Sequence, residues 1–229
     1  MSQHEPRPRR RRRSSPPSAD PREETAQPPR QVAPTKAETA LLPPFEGLSQ
    51  SHIHVPSTRA ERQQAVDEII AAGIAGFDTE AKPTFRAGQK SDGPHVAQFA
   101  LTDKAFIFQL HRKECEKATA TLIASKQVLK VGFGLKNDHS QIRRRLGIPL
   151  HPVLDLDQVF RKLGYPRQIG VRAAVGALLQ RHFRKSKSIT TSNWAARELR
   201  PKQLLYAAND AFAALKIMEV LQEKGMLED

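Results

Sequence analysis

The sequence predicts one α/β domain, a mixed β-sheet flanked by helices, behind a basic N-terminal tail. After one opening helix, segments with strand and helix patterns follow in the order β-β-β-α-β-α-β-α-α. The early strands are close enough in sequence to include a hairpin, and a helix then provides a crossover. Ten of the 17 prolines lie before residue 45, which leaves about 180 residues for a single core.

Residues 1–45 are predicted to form a disordered tail rich in proline and arginine. Five consecutive arginines run from Arg9 to Arg13, and aliphatic residues show almost no periodicity in this part. A segment of this composition does not bury enough apolar surface to offset the entropy lost on folding. The folded domain is therefore expected to cover residues 46–229.

The chain carries a formal net charge of +13, from 37 basic and 24 acidic residues. Residues 1–40 hold nine basic and five acidic side chains, a net +4, so +9 belongs to the remainder. A basic folded domain favours a polyanionic partner, most often nucleic acid. The alternative is a basic protein whose charged surface is only solvated.

Cysteine content and hydropathy exclude several other classes. The single cysteine, Cys115, excludes an internal disulfide and a zinc site based on cysteine. No apolar stretch approaches about 18 residues, and no apolar segment follows the arginine run. We expect no membrane partner and a cytoplasmic protein if the source is bacterial, or a nuclear one if it is eukaryotic. The oligomeric state stays open.

The first half of the domain reads from one helix into three strands. Residues 57–73 have a capping Ser57 or Thr58, apolar positions at helical spacing and a terminal glycine, so they predict a helix. Residues 73–81 are apolar and small, as in a strand. Two short β-rich segments then flank a turn-prone tripeptide, which predicts a hairpin. These segments are residues 95–102 and 105–110.

The second half alternates helices with buried strands. Helices are predicted at 113–126, 135–148, 170–183 and 201–222. A buried strand is predicted at 127–134, and residues 151–160 predict a strand that continues into a helix. Within that last segment, Asp155 is interpreted as a helix cap and Asp157 as a surface acid.

Acidic side chains stand at several of the predicted strand ends. Asp78 and Glu80 close the strand at 73–81, where an ionised carboxylate is costly to bury without a partner. Asp138 follows the strand at 127–134, in the position where α/β sheets bind ligands. In the last helix, Tyr206 and Asp210 are four residues apart and therefore share one face.

Four carboxylates from three segments would repel one another unless divalent cations lay between them. Mg²⁺ and Mn²⁺ prefer oxygen ligands and retain water molecules that leave room for phosphate groups. Two such ions can stabilise the attacking and leaving oxygens of a displacement at phosphorus. Together with the basic surface, these acids predict metal-dependent cleavage of a nucleic-acid phosphodiester, with Mg²⁺ or Mn²⁺ as the cofactor.

Three segments carry a family resemblance. FDTE, KVGFGLKNDHSQIRRRLGI and YAAND resemble, in this order, the three motifs of the DEDD 3'-5' exonucleases. The longer segment SNWAARELRPKQLLYAANDAFAALKI is similar to the RNase D and Werner-type branch, and the resemblance covers about residues 58–222. Leu205 occupies the position where the histidine subtype would carry its base, so the chain resembles the tyrosine subtype.

The resemblance implies an RNase H-like, DnaQ-like fold and hydrolysis from a 3' end that releases nucleoside monophosphates. It implies that Asp78, Glu80 and Asp210 bind a first metal ion and that Asp78 bridges to a second. By the same resemblance, Asp138 helps to hold the second ion, through water, and Tyr206 orients or activates the attacking water.

Basic residues near the motifs are candidates for contacts with nucleic acid. They are Arg86 and Lys90, in a loop expected to border the site, and Lys185 and Lys187, in the polar span before the last helix. DNA is favoured as the substrate because the resemblance is closer to the Werner-type branch. Trimming of RNA 3' ends, as in RNase D, and a catalytically silent nucleic-acid-binding module are the alternatives.

Overall fold

The computed structural model describes residues 29–84, 89, 91–165 and 168–227. A six-stranded mixed sheet forms its centre, in the order β1-β4-β3-β2-β5-β6. The strands are β1 (Ile53–His54), β2 (Ile74–Glu80), β3 (Val96–Ala100), β4 (Ala105–Gln109), β5 (Leu129–Gly132) and β6 (Val153–Asp155). β3 is antiparallel to β2 and β4, and the other neighbouring pairs are parallel.

Eight α-helices accompany the sheet in the described part of the chain. They are α1 (Lys36–Ala40), α2 (Arg59–Ala72), α3 (Lys113–Ala124), α4 (Lys136–Leu146), α5 (Leu156–Lys162), α6 (Gly170–Ala174), α7 (Lys187–Thr190) and α8 (Pro201–Glu223). A 3₁₀ turn at Gln50–His52 precedes β1, and a π-helical turn at Val175–Leu179 continues α6. None of these helices is long and apolar enough to cross a membrane.

The two faces of the sheet are covered by different helices. On one face, α2 and α3 pack over a core that includes Phe77, Phe99 and Phe108. On the other face, the 23-residue helix α8 crosses β2, β3 and β5. Gly76 permits this crossing, because a Cβ at this position would collide with the carbonyl oxygen of Ala211. The close approach brings α8 directly over the strand that ends in the acidic pair.

The elements predicted from periodicity are present, with two local differences. β1 and α7 are too short to give a periodic pattern, and neither was predicted. The helix expected at 170–183 ends earlier, since Gln180 adopts a left-handed conformation with φ 52°. Beyond it the chain is held by another segment: the N–H of His182 donates to the Pro43 carbonyl at 2.7 Å.

The predicted boundary of the tail at residue 45 also differs from the structure. α1 lies inside the predicted tail, and a capping box between Thr35 and Glu38 fixes its first turn. Thr39 is buried in contact with the domain, and the N–H of Gln31 donates to the Gly164 carbonyl at 2.9 Å. Residues 29–45 therefore pack on the domain, because their few apolar and capping groups find partners there. The arginine run lies outside the described residues.

Lys130 on β5 is a wholly buried cation. Its Nζ faces four backbone carbonyl oxygens at 3.0 to 3.5 Å, from Leu122, Ile123, Ser125 and His151. Three of them belong to the C-terminal end of α3 and the residue that caps it, where a positive charge is favourable. Burial lowers the pKa of this ammonium to about 8, so the group remains mainly protonated at neutral pH.

Candidate active site

Strand alternation directs the acidic pair toward α8. Residues two apart on a strand point to the same side, so Gly76, Asp78 and Glu80 share one face of β2. Phe77 points to the opposite face and belongs to the core under α2 and α3. The same apolar strand thus anchors itself on one side and presents two carboxylates on the other.

Helix α8 supplies the third carboxylate. Asp210 is 5% exposed and faces β2 from the underside of the helix. Carboxylate oxygens of Asp78, Glu80 and Asp210 lie within 4.8 Å of one another. This spacing brings together residues that are more than 120 positions apart in sequence, and it is the size of a site for one cation with oxygen ligands.

Asp138 lies beside this group and not within it. It is buried in the first turn of α4, where the Thr79 hydroxyl donates a hydrogen bond to its Oδ1 atom. Burial raises the pKa of Asp138 to about 6, in opposition to the hydrogen bond from Thr79. The charge of Asp138 contributes to the raised pKa of Asp78.

Asp155 fixes the backbone just before α4 by hydrogen bonding. Its two carboxylate oxygens accept hydrogen bonds from the backbone N–H groups of Gly134 and Leu135, at 2.9 and 3.0 Å. Asp155 also caps α5, as predicted, by accepting from the Asp157 N–H. The interpretation of Asp157 as a surface acid is wrong: it is buried, and its Oδ1 accepts from the Gly170 N–H at 3.3 Å.

The surroundings of the three clustered acids raise their pKa values. Burial, followed by the charges of Asp138 and Asp210, raises the pKa of Asp78 well above its ordinary value. Burial and the neighbouring Asp78 raise the pKa of Glu80 to about 10. The pKa of Asp210 is also raised, again mainly by burial. A divalent cation bound at the cluster would reduce the repulsion among these carboxylates.

One atom of the cluster has no hydrogen-bonding partner. Asp210 Oδ1 is buried and accepts no bond from any residue that the structure describes. Its other oxygen, Oδ2, lies 3.2 Å from the Nζ atom of Lys185. A buried carboxylate oxygen without a donor costs free energy, whereas such an oxygen directed into a cleft is suited to bind a metal ion.

The basic residues predicted to contact nucleic acid differ in where the structure places them. Lys185, predicted to contact phosphate, lies beside the carboxylates. Burial opposes its charge, but Asp210 and Asp78 outweigh that effect and raise its pKa. Lys187, on α7, is exposed, and no carboxylate of the described chain pairs with it. Arg86 and Lys90 lie outside the described residues.

Tyr206 lies one helical turn before Asp210. Its hydroxyl accepts a hydrogen bond from the Thr190 hydroxyl at 3.1 Å, and its ring lies 6.1 Å from that of Trp194. Burial, then the charge of Asp210, raises the pKa of the phenol, so it stays protonated at neutral pH. The group can hold a water molecule by hydrogen bonding and is a poor base in this state.

The cluster opens into a cleft of about 440 Å³. Besides Asp78, Asp138 and Asp210, its walls include Phe133, Asn137, Gln141 and Gln168, which offer an aromatic surface and side-chain amides. The donor set is made of oxygens, one of them buried and without a partner in the described chain, and it therefore fits hard divalent cations. Such a site can bind a phosphodiester and promote its hydrolysis.

Comparisons with known proteins agree with this chemistry. A 3'-5' exonuclease family model matches residues 53–226. The bifunctional 3'-5' exonuclease/ATP-dependent helicase WRN of Mus musculus is 28% identical over 154 residues, which cover 66% of this chain and 11% of that protein. A 3'-5' exonuclease of Arabidopsis thaliana is 27% identical over 156 residues, 66% of this chain and 54% of that protein. The chain thus spans about half of one relative and a small part of the other.

Solved structures share the fold of this chain. The EXO domain of Aedes aegypti Nibbler has a TM-score of 0.66 and 23% identity, covering 79% of this chain and 92% of that one. Trypanosoma brucei RNase D in complex with RNA U12 has a TM-score of 0.65 and 19% identity, covering 81% and 64% of the two chains. These similarities confirm the predicted RNase H-like α/β fold.

Proposed function

Because the chain belongs to the 3'-5' exonuclease family, we propose that it hydrolyses phosphodiesters at the 3' end of a nucleic acid and releases nucleoside monophosphates. One observation carries the proposal. Three carboxylates from β2 and α8 converge within 4.8 Å, and one of their oxygens is buried without a partner among the residues that the structure describes. A structural ion pair would not leave that oxygen unsatisfied.

The residues of the cleft divide the chemistry among them. Asp78, Glu80 and Asp210 would hold one divalent cation, and Asp138 would help to hold a second near Asp78. Cations bound there supply positive charge to the attacking and leaving oxygens during in-line displacement at phosphorus. We infer Mg²⁺ or Mn²⁺, because every proposed ligand atom is a carboxylate oxygen.

Tyr206 and Thr190 would position the attacking water. The phenol is protonated at neutral pH, so it binds water through a hydrogen bond and does not remove its proton. Thr190 fixes the phenol by donating to its oxygen. On this basis, Tyr206→Phe should reduce the hydrolysis rate and leave binding of the strand nearly unchanged, since only the hydrogen bond is lost.

DNA is the substrate we favour. The sequence similarity to the WRN protein supports it, and so does the resemblance of the segment before α8 to the Werner-type branch. RNA is supported by a structural neighbour, RNase D from Trypanosoma brucei, which was solved in complex with RNA U12. The chemistry of the carboxylates suits either polymer, because both carry the same phosphodiester group.

A digestion experiment separates these possibilities. DNA and RNA oligonucleotides of matched sequence, labelled at the 5' end, are incubated with the full chain and Mg²⁺ or Mn²⁺, both as single strands and with recessed 3' ends. We expect ladders that shorten from the 3' end, faster for DNA, and none in EDTA or with Asp78→Ala. Binding without any shortening in all conditions would instead identify a catalytically silent nucleic-acid-binding module.

A further inference from the structure

A second groove lies beside Tyr206, and part of it is built from residues outside the region that matches the family. We name residues 43–48 the strap; the family match begins only at residue 53. The strap runs past His182, whose carbonyl accepts from the Phe45 N–H at 3.0 Å. The groove between the strap and α8 is called here the strap groove, and it has a volume of about 400 Å³.

The strap is fixed to the helix that carries the catalytic residues. The side chain of Asn209 accepts from the Leu48 N–H at 2.7 Å and donates to the Leu48 carbonyl at 3.1 Å. Gly47 allows this contact, because a Cβ there would collide with Asn209 Oδ1. Asn209 immediately precedes Asp210, so the position of the strap is linked to the carboxylate cluster by one residue.

The walls of the strap groove are mainly apolar. They include the rings of Phe45 and Phe183, whose centroids are 5.6 Å apart, and the ring of Tyr206. Leu205 also lines the groove and is 38% exposed, which makes it one of the few large apolar side chains that the described domain leaves at its surface. A flat apolar ligand would cover these groups.

The rim of the strap groove is cationic. Arg184 and Lys202 line it, and both are exposed without a carboxylate partner in the described chain. Residues 181–202 contain seven Lys or Arg side chains and one acidic side chain, Glu198. An apolar floor with a basic rim is the combination that binds single-stranded nucleic acid, with bases stacked on the floor and phosphates at the rim.

The strap groove and the carboxylate cleft share a wall. Residues 183–186 lie outside any helix or sheet. Lys185 points to Asp210, whereas Arg184 and Ser186 line the strap groove. Tyr206 borders the groove and stands one turn from Asp210. A strand held at the carboxylates by one phosphate can therefore place a neighbouring nucleotide in the groove.

We propose that the strap groove binds a base of the single strand near the scissile phosphate, as a subsite that the strap adds to this chain. The inference rests on the proposed function, because it assigns the groove to the same strand. The volume matches that of a nucleotide-sized ligand site. The occupant is a nucleobase with its phosphate at Arg184 and Lys202, and duplex ends would have to open to reach it.

An abasic scan tests this subsite. The full chain carrying Asp78→Ala, which leaves the strand intact, is titrated against short labelled oligothymidylates in which each of the last nucleotides is replaced in turn by an abasic one. Fluorescence anisotropy measures the affinity. We expect one position, or two adjacent ones, to weaken binding about tenfold, as the loss of one stacked base does.

Groove variants then show whether that position belongs to the strap groove. In Leu205→Glu and Lys202→Glu, binding should be weaker and the abasic substitution at the sensitive position should have no further effect. Lys224→Glu is the matched control, at the residue that caps the far end of α8, about 33 Å from Lys202, and it should retain the full abasic profile. Both substituted groove side chains are exposed, so the fold should be retained.

Three results would overturn the inference. A flat abasic profile with strand binding intact, or a sensitive position that persists in both groove variants, would remove the subsite and leave the exonuclease proposal untouched. A change of oligomeric state in Leu205→Glu with an unchanged abasic profile would identify the groove as a contact between protein copies. Absence of strand binding together with absence of cleavage by the unsubstituted chain would refute both proposals.

Discussion

Two regions of this molecule bury charge, and they treat it in opposite ways. Lys130 is completely buried, and four backbone carbonyl oxygens surround its ammonium. Asp210 is almost as buried, yet one of its oxygens has no donor in the described chain, and two other acids lie close to it, with Lys185 at its second oxygen. The domain thus contains one buried charge whose polar partners all lie in the chain, and one acidic cluster whose partners are incomplete in the described chain.

The difference teaches how to separate a structural charge from a functional one. The chain supplies every partner that Lys130 needs, so this residue can contribute to stability without any ligand. At the carboxylates, Lys185 is the cation that the described part of the chain supplies. Burial raises the pKa values of Asp78, Glu80 and Asp210, and repulsion from neighbouring acids adds to this effect at Asp78 and Glu80. A group from outside the chain must therefore balance the charge of these carboxylates, as a metal ion does in a metal-binding site.

The largest expected effect separates activity from stability. Asp210→Ala should lower the hydrolysis rate about a thousandfold or more, because it removes a ligand of the proposed metal site. It should not lower the free energy of unfolding in metal-free buffer, since it also removes a carboxylate from a group of like charges. Single-turnover digestion and urea unfolding measure the two quantities. Asp67→Ala, which removes an exposed acid on α2, is the control and should change neither.

Lys130→Met should give the reverse pattern. The substitution keeps the length of the side chain but leaves several buried carbonyls without a donor, which costs about 2–3 kcal/mol of unfolding free energy. Hydrolysis by the folded protein should be unchanged. Lys126→Met is the matched control, because Lys126 is exposed four residues away and should shift stability by less than about 0.5 kcal/mol. Equal effects of the two substitutions would contradict the structural role of Lys130.

Divalent cations should stabilise the fold by binding at the carboxylate cluster. At a hundredfold excess over the dissociation constant, Mg²⁺ or Mn²⁺ should raise the unfolding free energy by about 2.7 kcal/mol. Thermal denaturation should show this increase for the unsubstituted chain and for Lys130→Met, and not for Asp210→Ala. An equal increase in Asp210→Ala would mean that the cations bind somewhere other than the carboxylate cluster.

The smallest effect is a difference in pH dependence without divalent metal. Burial, then Asp78, raises the pKa of Glu80 from 4.5 to about 10 in the folded chain. The folded state keeps a proton that the unfolded state releases, so the contribution of Glu80 is fully present below pH 4.5 and is lost as the pH rises toward 10. Relative to the unsubstituted chain, Glu80→Gln should therefore become more stable as the pH rises through this window.

Lys130 should show the opposite slope. Burial lowers its pKa from 10.5 to about 8, so its charged form is disfavoured by folding below pH 8, and that cost disappears as the pH rises to 10.5. Urea unfolding in EDTA at a series of pH values measures both slopes against Glu80→Gln and Lys130→Met. Parallel slopes for the two variants would contradict the distinction drawn between the two regions.

Local patterns in the sequence were sufficient to predict the main helices and strands and to predict which acidic residues share a face. Asp78 and Glu80 share a face because strands alternate, and Tyr206 and Asp210 share a face because helices repeat every 3.6 residues. Both periodicities are properties of a few consecutive residues. Family resemblance then supplied the assumption that these separate faces meet.

Other features could not be predicted because they depend on contacts between distant segments. The position of Lys185 is one: its sequence neighbours predict a phosphate contact, but its contact with Asp210 follows only from the packing of residues 183–186 beside α8. The packing of residues 29–45 is another, since Gln31 finds its partner at Gly164.

The sequence by itself determined which residue types stand at the ends of β2, at the start of α4 and on one face of α8. Only the tertiary structure decided that Asp78, Glu80 and Asp210 form one group, that Asp138 lies beside it bonded to Thr79, and that the strap adds a second groove. The physical reason is that backbone periodicity is local, whereas distances between side chains are set by helix and sheet packing across more than a hundred residues.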